Sequence, residues 1–68
     1  MERVTIVNNN KYIVKSLKSI YSNNVLGIEV TDGETEETIF WKRLKSSIKQ
    51  NELKREIDYI TRNLARIV

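Results

Sequence analysis

The segment Trp41-Lys42-Arg43-Leu44-Lys45-Ser46-Ser47-Ile48-Lys49 sets four cations, one indole and two hydroxyls in nine consecutive residues. Lysine and arginine neutralise phosphates and release condensed counterions, aromatic rings stack on bases, and serine hydroxyls hydrogen-bond to phosphate oxygens. A nucleic acid is the partner such a segment suits. A second cationic group, Arg3 with Lys11, Lys15 and Lys18, occupies the N-terminal third. The candidate nucleic-acid-binding residues are therefore Lys11, Lys15, Lys18, Lys42, Arg43, Lys45 and Lys49, with Tyr12, Tyr21 or Phe40 as candidate stacking residues. The plainer alternative is a solubilising surface at a strand-to-helix junction. Trp41 poses a conflict, because an outward Lys42 on a strand turns its neighbour inward. Tryptophan is highly buried on average, so core packing is the expectation for Trp41.

Between these basic groups lies an acidic run, Asp32-Gly33-Glu34-Thr35-Glu36-Glu37. Carboxylates suit hard cations, but the spacing lacks the alternating ligands, the glycine at the sixth position and the terminal glutamate of a calcium loop. A solvated turn whose charges discourage edge pairing explains the run more simply. Glu34, Glu36 and Glu37 are also the candidate residues for the alternative function, a protein-binding inhibitor or adaptor of the type phages and mobile elements use as regulators. Such a module would dock through this acidic tip or by strand addition at a sheet edge.

Taken by blocks, Arg3, Lys11, Lys15 and Lys18 against Glu2 give +3, and Glu29, Asp32, Glu34, Glu36 and Glu37 give −5. Lys42, Arg43, Lys45 and Lys49 give +4, and the remaining 18 residues add +1, for the net of +3. Charge is segregated along the chain, as an electrostatically guided binding protein requires.

Other chemistry is excluded by composition. The 68 residues contain no His and no Cys, which removes thiolate and imidazole ligation, the usual zinc sets and the His-assisted nucleophiles. No G-x-x-x-x-G-K-[ST] phosphate loop or G-x-G-x-x-G turn occurs, and only Gly27 and Gly33 are available to build one. No enzymatic activity, metal or cofactor is expected.

These residues must be held by elements that the spacing of apolar side chains predicts. Leu53, Ile57, Ile60, Leu64 and Ile67 recur four and three residues apart, the stripe of one helix face. That helix would start at Ser47 with Gln50 as a capping box, or at Asn51 ahead of Glu52. Leu26, Ile28 and Val30 alternate with Gly27, Glu29 and Thr31, which is a half-buried strand. Asp32-Gly33 signals a hairpin into an aromatic strand, 38–44, whose register is open. Either Ile39 and Trp41, or Phe40 and Leu44, share a face with Leu26 and Ile28.

Residues 11–22 admit two readings. Ile13, Val14, Leu17, Ile20 and Tyr21 match an amphipathic helix by period, whereas Tyr, Ile, Val and Ser with no Ala or Glu favour a strand. The strand reading is preferred, with Leu17, Ser19 and Tyr21 facing Val30, Ile28 and Leu26, and Lys18 opposite Glu29. Asn8-Asn9-Asn10 serves both readings, as a hairpin loop or a helix cap. The expected fold is α+β: a small antiparallel sheet of three to four strands in meander order, packed by one C-terminal helix, the alternative order being β-α-β-β-α. Meander followed by helix is similar in outline to several dimeric single-strand-binding folds, an analogy that transfers no residues.

The whole chain, 1–68, reads as one compact domain. No apolar run approaches the ~20 residues of a membrane span, and the N-terminus lacks a signal-peptide pattern, so a cytoplasmic protein with no membrane partner is expected. A chain of this size buries a thin core, and a homodimer is expected on that ground.

Overall fold

The structure is a computed structural model and describes residues 1–22 and 24–68. Four strands, β1 (Glu2–Val7), β2 (Asn10–Lys18), β3 (Val25–Asp32) and β4 (Thr38–Arg43), precede helix α1 (Gln50–Arg62) and a short helix α2 (Leu64–Ile67). The strands form one antiparallel sheet in the order β1-β2-β3-β4, and the α+β meander with its C-terminal helix is the architecture. Among the described residues no helix is long and apolar enough to cross a membrane.

Residues 11–18 belong to a strand, which discards the β-α-β-β-α order. Val14 faces Val30 across β2 and β3 and is fully buried, while Ile13 and Leu17 project from the opposite face. Both faces of β2 thus carry apolar side chains, and this two-sided pattern is what imitated a helical period. The pairing differs from the expected one: Lys15, not Lys18, opposes Glu29, and Leu17 opposes Gly27. The connection is correspondingly longer. Ser19 donates its N–H to the Asn24 carbonyl at 3.0 Å, leaving Ile20 and Tyr21 exposed in the loop. The strand reading also closes a hairpin at Ser22-Asn23-Asn24-Val25, of which Asn23 lies outside the described residues.

The first hairpin turns on Asn8 and Asn9, at φ 51° and 68°. Two successive positive φ values make a two-residue turn of the kind that matches strand twist, and asparagine tolerates them better than other side chains. In the third connection the left-handed position falls on Glu36, at φ 62°, and not on Gly33. Gly33 is needed for proximity instead: a Cβ there would come 2.7 Å from Cγ of Lys11. Asp32 organises this loop, its Oδ1 accepting the N–H groups of Glu34 (2.8 Å) and Thr35 (3.1 Å). Those bonds hold its carboxyl below the usual aspartate range.

One face of the sheet meets the helix. Val14, Ile28 and Val30 pack against Leu53, Ile57, Ile60 and Leu64, the buried members of the predicted stripe. Phe40 and Leu44 join from β4 and its extension, which selects the Phe40 register. Neither expected cap forms. Lys49 is the N-cap residue without a side-chain hydrogen bond, although Glu52 does stand in the positively polarised first turn. Asn63, at φ −104° and ψ 14°, separates α1 from α2, and its Nδ2 donates to the Tyr59 carbonyl at 2.8 Å.

Candidate nucleic-acid interface

The helix covers one face only, so the other defines what a partner would meet. Alternation places Glu2, Val4 and Ile6 of β1, Lys11, Ile13, Lys15 and Leu17 of β2, Gly27, Glu29 and Thr31 of β3, and Trp41 and Arg43 of β4 on this open face. Its apolar members are unusually prominent for a solvent-facing sheet.

Trp41 does not enter the core. The pairing of Ile28 with Lys42 and of Val30 with Phe40 turns Lys42 and Phe40 toward the helix, and Trp41 toward solvent. Its indole lies across the backbone of Gly27, where an added Cβ would come 2.6 Å from Cη2 and overlap the Lys42 carbonyl oxygen. Gly27 is therefore the floor on which the ring rests, and the ring remains 44% exposed. Sequence reasoning passed over Gly27, yet glycine in a strand interior is itself a signal of close approach.

The same alternation sorts the cationic candidates. Lys11, Lys15 and Arg43 are on the open face with Trp41. Lys15 lies 3.7 Å from Glu29, and Glu29 in turn accepts the Thr38 hydroxyl at 2.7 Å, so the Glu29 charge on this face is compensated. Lys45 and Lys49 are exposed in the connection between β4 and α1. There an open groove of about 640 Å3 is lined by Lys42, Arg43, Lys45 and Lys49 together with Glu52 and Glu56. Arg43 and Lys45 also border a second groove with Leu26 and Ser46.

Lys42 and Arg3 are used differently. The Lys42 ammonium donates to Glu56 Oε2 at 2.7 Å, and Arg3 Nε donates to Asp58 Oδ1 at 3.3 Å. These pairs tie the two edge strands to α1 at opposite edges of the sheet. Both sit on the helix side, away from Trp41. Lys18 closes β2 beside the long loop, apart from the others.

Among the stacking candidates, Tyr12 and Phe40 are half-buried against the core. Tyr21 is 93% exposed, but in the loop beyond β2. Glu34, Glu36 and Glu37, the residues of the alternative protein-binding reading, are exposed together at the β3–β4 tip. No cluster of His, Cys, Asp and Glu with metal-binding geometry occurs among the described residues.

Comparison of the chain with family models, with curated proteins and with solved structures finds no match.

Proposed function

We propose that this protein binds single-stranded nucleic acid on the open face of its sheet. The observation that carries the reading is Trp41, a large aromatic side chain set against Gly27 and 44% exposed on the face away from the helix, where tryptophan would ordinarily be buried. Exposed rings on sheets accept bases by stacking, and Arg43, Lys11 and Lys45 offer charge for the intervening phosphates. Tyr21 on the flanking loop supplies a second ring beyond the sheet. Catalysis is no part of the proposal.

The test uses the single tryptophan as its own reporter. Titration with single-stranded RNA and DNA oligonucleotides should quench Trp41 fluorescence, with an affinity that falls as salt rises because counterions are released. Trp41→Ala, followed by polarisation of a labelled oligonucleotide, should lose about 1–3 kcal/mol of binding, roughly 5- to 150-fold. Arg43→Gln should weaken binding, whereas Lys42→Gln should cost less because the Lys42 ammonium is already paired with Glu56 on the helix side. Binding that ignores salt and survives Trp41→Ala would overturn the reading. The protein-binding alternative predicts instead a partner captured through Glu34, Glu36 and Glu37 and lost when they are changed to Lys.

A further inference from the structure

The two edges of the sheet are protected unequally. On β4 the register slips between Val30 and Thr31, leaving Ile39 in a bulge, and Lys42 and Arg43 follow within four residues. Bulges and cations are standard devices against edge pairing. β1 has neither a bulge nor a proline nor a lysine. Its register with β2 is unbroken from Glu2 to Val7, its Arg3 is drawn to Asp58, and Val4 and Ile6 stand 59% and 71% exposed.

The hydrogen-bond phase of this edge is fixed by β2. Ser16 donates its N–H to the Met1 carbonyl at 3.1 Å, and Val7 faces Asn10 across the two-residue turn. Antiparallel ladders alternate, so residues 1, 3, 5 and 7 direct their N–H and C=O groups at β2. Glu2, Val4 and Ile6 direct theirs outward. One antiparallel register of β1 with a second β1 satisfies all three at once: Val4 opposite Val4 on the two-fold axis, and Glu2 opposite Ile6 on either side. Each of these pairs exchanges two hydrogen bonds, and the remaining residues fall into the intervening positions with Arg3 opposite Thr5.

Side chains agree with that register. On the open face the two Val4 residues meet in the middle, each backed by Ile13 of its own β2, so the exposed aliphatic groups of both copies become one covered seam. Glu2 of one copy comes beside Ile6 of the other, behind which stands Lys11 at two strand spacings, about 9.6 Å between Cα atoms. A glutamate and a lysine reach each other over that distance, and the two-fold repeats the pair at the other end. We infer that the protein forms a two-fold dimer by antiparallel pairing of β1 with β1 of a second copy, making a continuous eight-stranded sheet with Val4 on the axis. This inference stands apart from the nucleic-acid reading.

Sedimentation velocity and equilibrium from micromolar to millimolar concentration, without nucleic acid, test it. Wild-type protein should show a monomer–dimer equilibrium. Val4→Pro removes an N–H that faces away from β2, so it should leave the circular dichroism of the domain unchanged and abolish the dimer. Should Val4→Pro fail to fold, Val4→Lys keeps the ladder but sets two ammonium groups opposite each other, and the dimer constant should weaken at least tenfold. Thr5→Pro, whose N–H bonds β2, should unfold the domain. A wild-type chain that stays monomeric throughout, or a folded Val4→Pro or Val4→Lys variant that dimerises as well as wild type, would overturn the inference. The oligonucleotide titrations are read on the monomer, so either proposal can fail alone.

Discussion

Gly27→Ala is the smallest change that probes how Trp41 is held. The added methyl group would meet Cη2 of the indole at 2.6 Å and overlap the Lys42 carbonyl oxygen, so both the ring and the β4 backbone must give way. Overpacking of this kind costs about 1–3 kcal/mol. A 68-residue domain at ~0.05–0.15 kcal/mol per residue has only about 3–10 kcal/mol in total, so the loss is a large fraction of it. At about 4–8 °C per kcal/mol, the melting temperature followed by far-ultraviolet circular dichroism should fall by at least several degrees. The tryptophan signal should change with it: an indole lifted from the glycine backbone gains water contact, shifts its emission to the red and becomes more accessible to a soluble quencher. A double-mutant cycle with Trp41→Ala separates the two contacts. In the alanine background the clash with the ring is gone but that with the Lys42 carbonyl remains, and the two mutations should couple by roughly 0.5–3 kcal/mol. A Gly27→Ala protein with the wild-type melting temperature and emission spectrum would refute the claim that Gly27 positions the ring.

Ile57 lies fully buried where the helix crosses the sheet, and Ile57→Ala should cost about 2–5 kcal/mol, enough to leave the domain marginal in a urea titration. Asn9, at φ 68°, should lose about 1 kcal/mol on change to Ala and none on change to Gly, as read from the denaturation midpoint; equal effects of the two would contradict the left-handed turn. Asp32 is stabilised as a carboxylate by the N–H groups of Glu34 and Thr35, so its folded pKa lies below the unfolded value of about 3.9. Its contribution is complete above that value and is lost as pH falls through the folded pKa. Carboxyl titration by NMR should show Asp32 protonating below pH ~3.9 with concurrent loss of protection at the Glu34 and Thr35 amides, and a midpoint at or above it would contradict the loop geometry.

Much of the scaffold was legible because its signals are local. The stripe from Leu53 to Leu64 packs as its period requires, and the Leu26–Val30 alternation became β3 with Ile28 and Val30 inward. Residues 11–18 were legible by composition and misleading by period, since Ile13 and Leu17 face outward on a sheet with an apolar outer surface. The site was less legible. Lys42 and Arg43 are adjacent in a cationic run, and alternation alone sends them to opposite faces of β4, one to Glu56 and the other to Trp41. Which goes where depends on the β3–β4 connection, which sequence left open to either parity.

Composition by itself removed thiol and imidazole chemistry, and residue order put acidic and basic residues in separate blocks, because neither needs geometry. Alternation supplied β3 and period supplied the helix for the same reason, each being decided within a few residues, while propensity favoured a strand over 11–18 against its period. Only the tertiary structure decided which side chains reach the open face of the sheet. Pairing Val30 with Phe40 fixes the parity of β4, and that one register choice turns Phe40 into the core and Trp41 onto Gly27 at the open face. A shift of one residue would have exchanged them, and no local preference of either aromatic ring distinguishes the two outcomes.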